Sequence, residues 1–148
     1  MTMTTTIKTR ALAEKIFGNM RDKTGHPYMQ TLDAIAGKTA NEDIACVVYL
    51  WEVLEHTDLK PMELIIEGTT MRSAYAAERA QQRKNEPYNE YLRRIVKDDE
   101  LVYPAALAKA DYLRNTNNYM TDDVTMISEA AHYSMTYRFL KLFHNGIW

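Results

Sequence analysis

The sequence predicts an all-α fold, a single compact bundle of about seven helices. The segment Ile44–Leu54 is apolar almost all round, which is typical of a helix buried at the centre of a domain. The segment Tyr88–Ile95 places apolar residues at i, i+3, i+4 and i+7, which is the spacing of an amphipathic helix. No stretch alternates apolar and polar residues, and no hairpin turn signal is present, so the sequence does not favour β-strands.

The first three helices are predicted from their apolar spacing and from the residues at their ends. Ile7–Phe17 reads as the first helix. Pro27 suits the first turn of a second, shorter helix that ends near Gly37. Asn41 is a good N-cap for the central helix, since its side chain can accept a hydrogen bond from a backbone N–H of the first turn.

The later helices are predicted in the same way. Asp58 is expected to cap a fourth short helix with Pro61 in its first turn. Good helix formers in Ser73–Gln82 predict that this stretch is partly helical. A further helix is predicted through Ala105–Asn115, with Pro104 near its beginning. Thr121–Asp123 is expected to cap the last helix, which runs from Val124 to about His144.

Length, charge and cysteine content limit the function classes. The 148 residues fit one domain, with a threonine-rich lead at residues 1–6 that we expect to be disordered. The net charge of -2 gives no general attraction to nucleic acid or to acidic membranes. The longest apolar run, Ile44–Trp51, is far shorter than the roughly 20 residues that span a bilayer. The single cysteine, Cys46, excludes a disulfide framework, so we expect a cytoplasmic protein; the sequence does not indicate an oligomeric state.

Three side chains that could perform chemistry follow the central apolar segment: Glu52, Glu55 and His56. Glu52 and His56 are separated by four residues, a spacing that can place two ligands on one metal ion. Polar groups at a helix end are also often solvated, and a histidine there suits the helix dipole. Residue spacing leaves both interpretations open.

Four segments occur in an order that resembles a known family. They are RDKTGHPYMQT (Arg21–Thr31), YLWEVLEHTDLKPMEL (Tyr49–Leu64), YNEYLRRI (Tyr88–Ile95) and ALAKADYLRN (Ala106–Asn115). Together they are similar to the HD-domain hydrolases of the RelA/SpoT type, which remove pyrophosphate from guanosine tetra- and pentaphosphate. The resemblance implies an all-α domain with a Mn²⁺ site at its centre.

The resemblance also implies that most of the family's metal ligands have been replaced. Thr31 stands where the family has its first histidine, and the His-Asp dyad corresponds to Trp51 and Glu52. Asp111 matches the fourth ligand, and Asn115 matches an asparagine beside the nucleotide. Threonine is a poor substitute for imidazole, and tryptophan offers only an N–H donor, so we expect no metal at the family's position.

Two sets of residues remain as candidates for function. The pair that acts on the attacking water in the family corresponds to Glu55 and His56, which with Glu52 and Asp111 would form a rebuilt Mn²⁺ or Zn²⁺ site if the protein is an enzyme. The other set is basic and suits phosphate oxygens, as in the family's nucleotide pocket. Its members are Arg21, Lys23, Arg72 and Arg79.

We therefore expect a catalytically degenerate HD-domain protein that acts by binding a guanine-nucleotide-like ligand or a protein partner, with no nucleic-acid or membrane partner. The first alternative is an active metal-dependent nucleotide pyrophosphohydrolase with the rebuilt site. The second is an inhibitory or structural protein-interaction module with no small ligand.

Overall fold

The computed structural model describes residues 5–22, 25–116 and 124–147, and this part of the chain is all-α. Its helices are α1 (Thr5–Phe17), α2 (Tyr28–Ala36), α3 (Glu42–His56), α4 (Pro61–Ile66), α5 (Met71–Arg79), α6 (Tyr88–Lys97), α7 (Val102–Thr116) and α8 (Val124–His144). The all-α prediction is confirmed, with eight helices among the described residues where about seven were expected. None of these helices is both long and apolar enough to cross a membrane.

The helices cluster into two compact units, Met1–Gln81 and Gln82–Trp148. The first holds α1 to α5 and the second holds α6 to α8. A single domain over residues 1–148 stays a prediction. All candidate residues at the end of the central helix belong to the first unit, whereas Asp111 and Asn115 belong to the second.

In the first unit, α3 is the central helix, and α1, α2 and α5 pack against it. Every residue from Ile44 to Val53 is buried, as the apolar pattern predicts. Such a helix has no polar face, so it is stable only when neighbouring helices cover it on several sides. Its C-terminal end therefore lies among side chains from α1 and α2.

A partly buried polar network joins α1, α2 and α3. Arg10 donates two hydrogen bonds of 2.9 Å to the two carboxylate oxygens of Asp33, and the Tyr49 hydroxyl donates a third at 2.7 Å. Burial alone would raise the pKa of Asp33, but the hydrogen bonds from Arg10 and Tyr49 lower it below its usual value. Burial, and then the hydrogen bond to Asp33, raise the pKa of Tyr49. The network fixes α2 relative to its neighbours.

The helix ends in the structure agree with most of the predicted ends, and two predictions were wrong. The backbone N–H of Ile44 donates to the Asn41 side chain at 3.1 Å, which confirms the N-cap of α3. The expected cap at Asp58 is wrong, because α4 begins after Lys60, whose backbone N–H donates to Glu63 at 3.1 Å. Helix α1 begins at Thr5, inside the stretch that we expected to be a disordered lead. The predicted cap Thr121–Asp123 lies outside the described residues.

In the second unit, α8 packs against α6 and α7. The apolar face of α6 is buried, as its spacing predicts, through Tyr91, Leu92 and Ile95. The Tyr88 and Thr136 hydroxyls are hydrogen-bonded at 2.7 Å and join α6 to α8. These contacts give the second unit a core of its own.

Candidate functional site

The predicted site residues divide between the two units. The first unit contains Thr31, Trp51 and the cluster of Glu52, Glu55 and His56 at the end of α3. It also contains the basic residues Arg21, Arg72 and Arg79. Asp111 and Asn115 lie in the second unit, on α7. The predicted approach of Asp111 to Glu52 and His56 stays a prediction, and Lys23 lies outside the described residues.

The end of α3 holds a buried carboxylate next to a histidine. Only 5% of Glu52 is exposed. The Tyr28 hydroxyl donates a 2.7 Å hydrogen bond to Glu52 Oε2, and His56 Nε2 lies 3.3 Å from that same oxygen. The Tyr28 hydroxyl also lies 3.3 Å from His56 Nε2. A buried carboxylate is stable only with hydrogen-bond donors around it, and Tyr28 supplies one from α2.

Aromatic rings hold the His56 imidazole in place. The Phe17 ring meets it edge to face with a centroid distance of 5.5 Å, and the Tyr28 ring does the same at 5.8 Å. Phe17 and Tyr28 pack on each other at 5.0 Å. Such edge-to-face contacts restrict the orientation of the imidazole. The last residue of α1, the first of α2 and the last of α3 therefore meet at one place.

Glu55 completes a group of possible metal ligands. One ligand atom from each of Glu52, Glu55 and His56 lies within 4.8 Å of the others. Glu55 and His56 are exposed, whereas Glu52 is buried. The three side chains therefore lie on one side of the helix end, and their role as a rebuilt metal site stays a prediction.

The position at which the resemblance predicts a replaced histidine holds a buried indole. Trp51 is 7% exposed, and its backbone carbonyl accepts a 3.1 Å hydrogen bond from Gln81 Nε2. An indole has no lone pair available for a metal ion. At the other histidine position, the Thr31 hydroxyl donates to Asp22 Oδ2 at 3.4 Å.

The loop between α1 and α2 carries Arg21. Backbone contacts join the start of this loop to its end. Arg21 forms an isolated antiparallel bridge with Pro27, and the N–H of Tyr28 donates to the carbonyl of Met20 at 2.8 Å. One Arg21 N–H donates to the carbonyl of Gly25 at 2.8 Å, while the side chain stays exposed. The loop leads directly into Tyr28, so Arg21 belongs to the same region of the first unit.

The other basic candidates have different surroundings. Arg72 forms a 2.7 Å ion pair with Asp43 at the start of α3, at the opposite end of that helix from Glu52. Arg79 is exposed in the last turn of α5. Of these arginines, Arg21 is the one in the loop that leads into Tyr28, and its neighbour Met20 is hydrogen-bonded to the Tyr28 backbone. Arg21 is therefore the stronger candidate for a ligand contact.

Asp111 is paired on its own helix. It accepts hydrogen bonds from Arg114 Nε at 3.0 Å and from Asn115 Nδ2 at 3.2 Å. The Arg114 guanidinium also lies 3.7 Å from the centre of the Tyr137 ring, a cation–π contact. Asp111 is therefore engaged with both Arg114 and Asn115.

Two important side chains were not singled out from the sequence. Tyr28 falls within the segment that carries the resemblance, but nothing in the spacing shows that its hydroxyl reaches Glu52. The sequence indicated only that Phe17 ends a helix, and nothing marked it as a site residue. Only the packing of α1 and α2 against α3 brings these rings to the imidazole.

No family model matches the chain, and no curated protein matches it.

Proposed function

We propose that this protein is a catalytically degenerate member of the HD-domain type that acts by binding a phosphate-bearing nucleotide of the guanosine tetraphosphate class. The observation that carries the proposal is the buried indole of Trp51 at the position of the dyad histidine. Hydrolysis by the family's route needs a metal ion to lower the pKa of a water molecule, and an indole removes one of its ligands. Binding does not need that ion, so a nucleotide pocket can remain after the chemistry is lost.

The Arg21 loop is the proposed contact for the phosphates. A guanidinium has five N–H donors, and one of those of Arg21 is used by the carbonyl of Gly25. The remaining donors suit phosphate oxygens, with which guanidinium groups form bidentate hydrogen bonds. We place the protein in the cytoplasm, where the buried, unpaired Cys46 remains reduced.

A thermal-shift panel with guanosine tetraphosphate, guanosine pentaphosphate and common nucleotides tests the proposal. A ligand at about 100 times its Kd stabilises the folded state by about 2.7 kcal/mol, which is easily measured as a rise in Tm. The rise should shrink in Arg21→Ala and remain in Arg138→Ala, a matched control that removes an exposed arginine on α8.

If no nucleotide raises the Tm, the nucleotide proposal is wrong. A protein-interaction module without a small ligand then becomes the better proposal, and affinity purification of partners is the next experiment. If the Tm rises equally in wild type and Arg21→Ala, the protein binds nucleotides at another site.

The convergence of Glu52, Glu55 and His56 favours a second candidate function, metal-dependent hydrolysis of nucleotide pyrophosphates. A metal ion held there could activate a water molecule as nucleophile. Release of pyrophosphate from guanosine tetraphosphate with added Mn²⁺ or Zn²⁺ would support it, provided that Glu52→Gln abolishes the activity. No release with either ion would exclude this candidate.

A further inference from the structure

We propose that Glu52, Glu55 and His56 bind one divalent transition-metal ion of the Zn²⁺ type at the C-terminal end of α3. The site includes Glu52, the second position of the resembled family's dyad, extends one helical turn beyond it, and takes all of its protein ligands from a single helix. The inference goes beyond the proposed nucleotide binding and does not depend on it, because an ion here can organise a binding protein as well as an enzyme.

The spacing of the three residues places them on one side of the helix. Residues three and four positions apart are neighbours on a helix surface. The distance of 3.3 Å between Glu52 Oε2 and His56 Nε2 fits the separation of two ligands on one tetrahedral Zn²⁺, which is about 3.3–3.4 Å for metal–ligand distances of about 2.0–2.1 Å. A Glu55 carboxylate oxygen lies within 4.8 Å of both atoms, so a rotation of this side chain toward the ion would complete the set.

The chemistry of the set matches the same class of ion. One imidazole and two carboxylates are ligands that Zn²⁺ accepts, and three protein ligands leave a fourth position for water or for an anionic ligand. Two carboxylates also balance the double charge of the ion. Glu52 is almost fully buried while Glu55 and His56 face solvent, so an ion can enter from the solvent side and lie against a fixed carboxylate.

Tyr28 contacts both of the closely spaced ligand atoms. Its hydroxyl lies 2.7 Å from Glu52 Oε2 and 3.3 Å from His56 Nε2. A metal ion takes the lone pair of a neutral imidazole nitrogen, so Nε2 must give up any proton that it shares with Tyr28 or Glu52. The Tyr28 hydroxyl can keep its hydrogen bond to Glu52 and act as a positioning group for that carboxylate, as outer-shell donors do in other metal sites.

Phe17 and Tyr28 hold the imidazole plane with edge-to-face contacts before any ion arrives. A ligand that is already oriented loses less conformational freedom on binding, which favours affinity. The buried carboxylate and the oriented imidazole are therefore the preformed part of the site, and Glu55 is its exposed part.

The test is a zinc titration of tag-free, full-length protein that has been stripped with EDTA, using a chromophoric zinc chelator as competitor. We expect one Zn²⁺ per chain. His56→Ala and Glu52→Gln should each weaken the affinity about tenfold or more, because each removes a direct ligand. His132→Ala and Glu78→Gln are matched controls that remove an exposed histidine on α8 and an exposed carboxylate on α5, and they should leave the affinity unchanged.

His56 is exposed, so His56→Ala should fold normally, and circular dichroism of the metal-free protein checks this. A zinc-dependent rise in Tm that is present in wild type and absent in His56→Ala supports the site. Absence of stoichiometric zinc, or an affinity that is unchanged in both His56→Ala and Glu52→Gln, overturns it. Nucleotide titrations in EDTA separate the two proposals: a nucleotide shift without zinc binding refutes only the metal site, and zinc binding without a nucleotide shift refutes only the nucleotide pocket.

Discussion

The hydrogen bond from Tyr28 to Glu52 gives a sharp prediction for stability. Tyr28→Phe removes the hydroxyl and leaves the ring that packs on Phe17 and His56. A hydrogen bond to a charged group contributes about 1.5–3 kcal/mol, and the 2.7 Å distance to a buried carboxylate places this bond within that range. His56 Nε2, at 3.3 Å from the same oxygen, can compensate in part, so we expect a loss of about 1.5–2 kcal/mol in the free energy of unfolding.

The assay is chemical and thermal unfolding in EDTA, so that no metal ion contributes. For a protein of this length, the loss corresponds to a Tm lower by about 3–8 °C. Tyr75→Phe is the matched control, since Tyr75 is a half-buried tyrosine on α5, away from the Tyr28–Glu52 hydrogen bond. Its effect on the free energy of unfolding should stay within about 0.5 kcal/mol.

A double-mutant cycle isolates the pair. Glu52→Gln keeps the shape of the side chain and removes its charge, so Tyr28→Phe should be less harmful in that background. We expect a coupling energy of about 1 kcal/mol between the two positions. Effects that add to within about 0.3 kcal/mol would refute the reasoning, because groups in direct contact do not behave independently.

Two further predictions concern other parts of the chain. Arg94 holds Glu86 through two 2.8 Å hydrogen bonds, which lower the pKa of Glu86 from 4.5 to about 2. The stability from this pair is therefore present above pH 4.5 and is lost as the pH falls through 2. Glu86→Gln should cost about 1–2 kcal/mol at pH 7 in urea unfolding and progressively less as the pH falls toward 2. Asn41→Ala removes the cap of α3 and should cost about 1 kcal/mol in the same assay, whereas Asn41→Ser, which keeps a capping oxygen, should cost much less.

Much of the fold could be predicted from the sequence because the relevant signals are local. The apolar residues of Ile44–Leu54, the cap at Asn41 and the spacing of Tyr88–Ile95 each reflect interactions within a few residues, and the structure agrees with all three. The prediction of Asp58 as the N-cap of α4 was wrong because several residues of this loop could begin the helix. The helix begins after Lys60 because Pro61 suits the first helical position and the Glu63 side chain accepts a hydrogen bond from the Lys60 backbone N–H.

The candidate site was predictable only in part. Glu52, Glu55 and His56 share one helix, so their convergence follows from helical geometry alone. Tyr28 and Phe17 come from other helices, and their contacts with His56 depend on how α1 and α2 pack against α3, which no spacing along the chain encodes. The sequence by itself determined the helices, and the replacement of two histidines of the resembled pattern stays a prediction. The tertiary structure alone decided that the remaining carboxylate is buried, bonded to a tyrosine and placed 3.3 Å from an imidazole nitrogen.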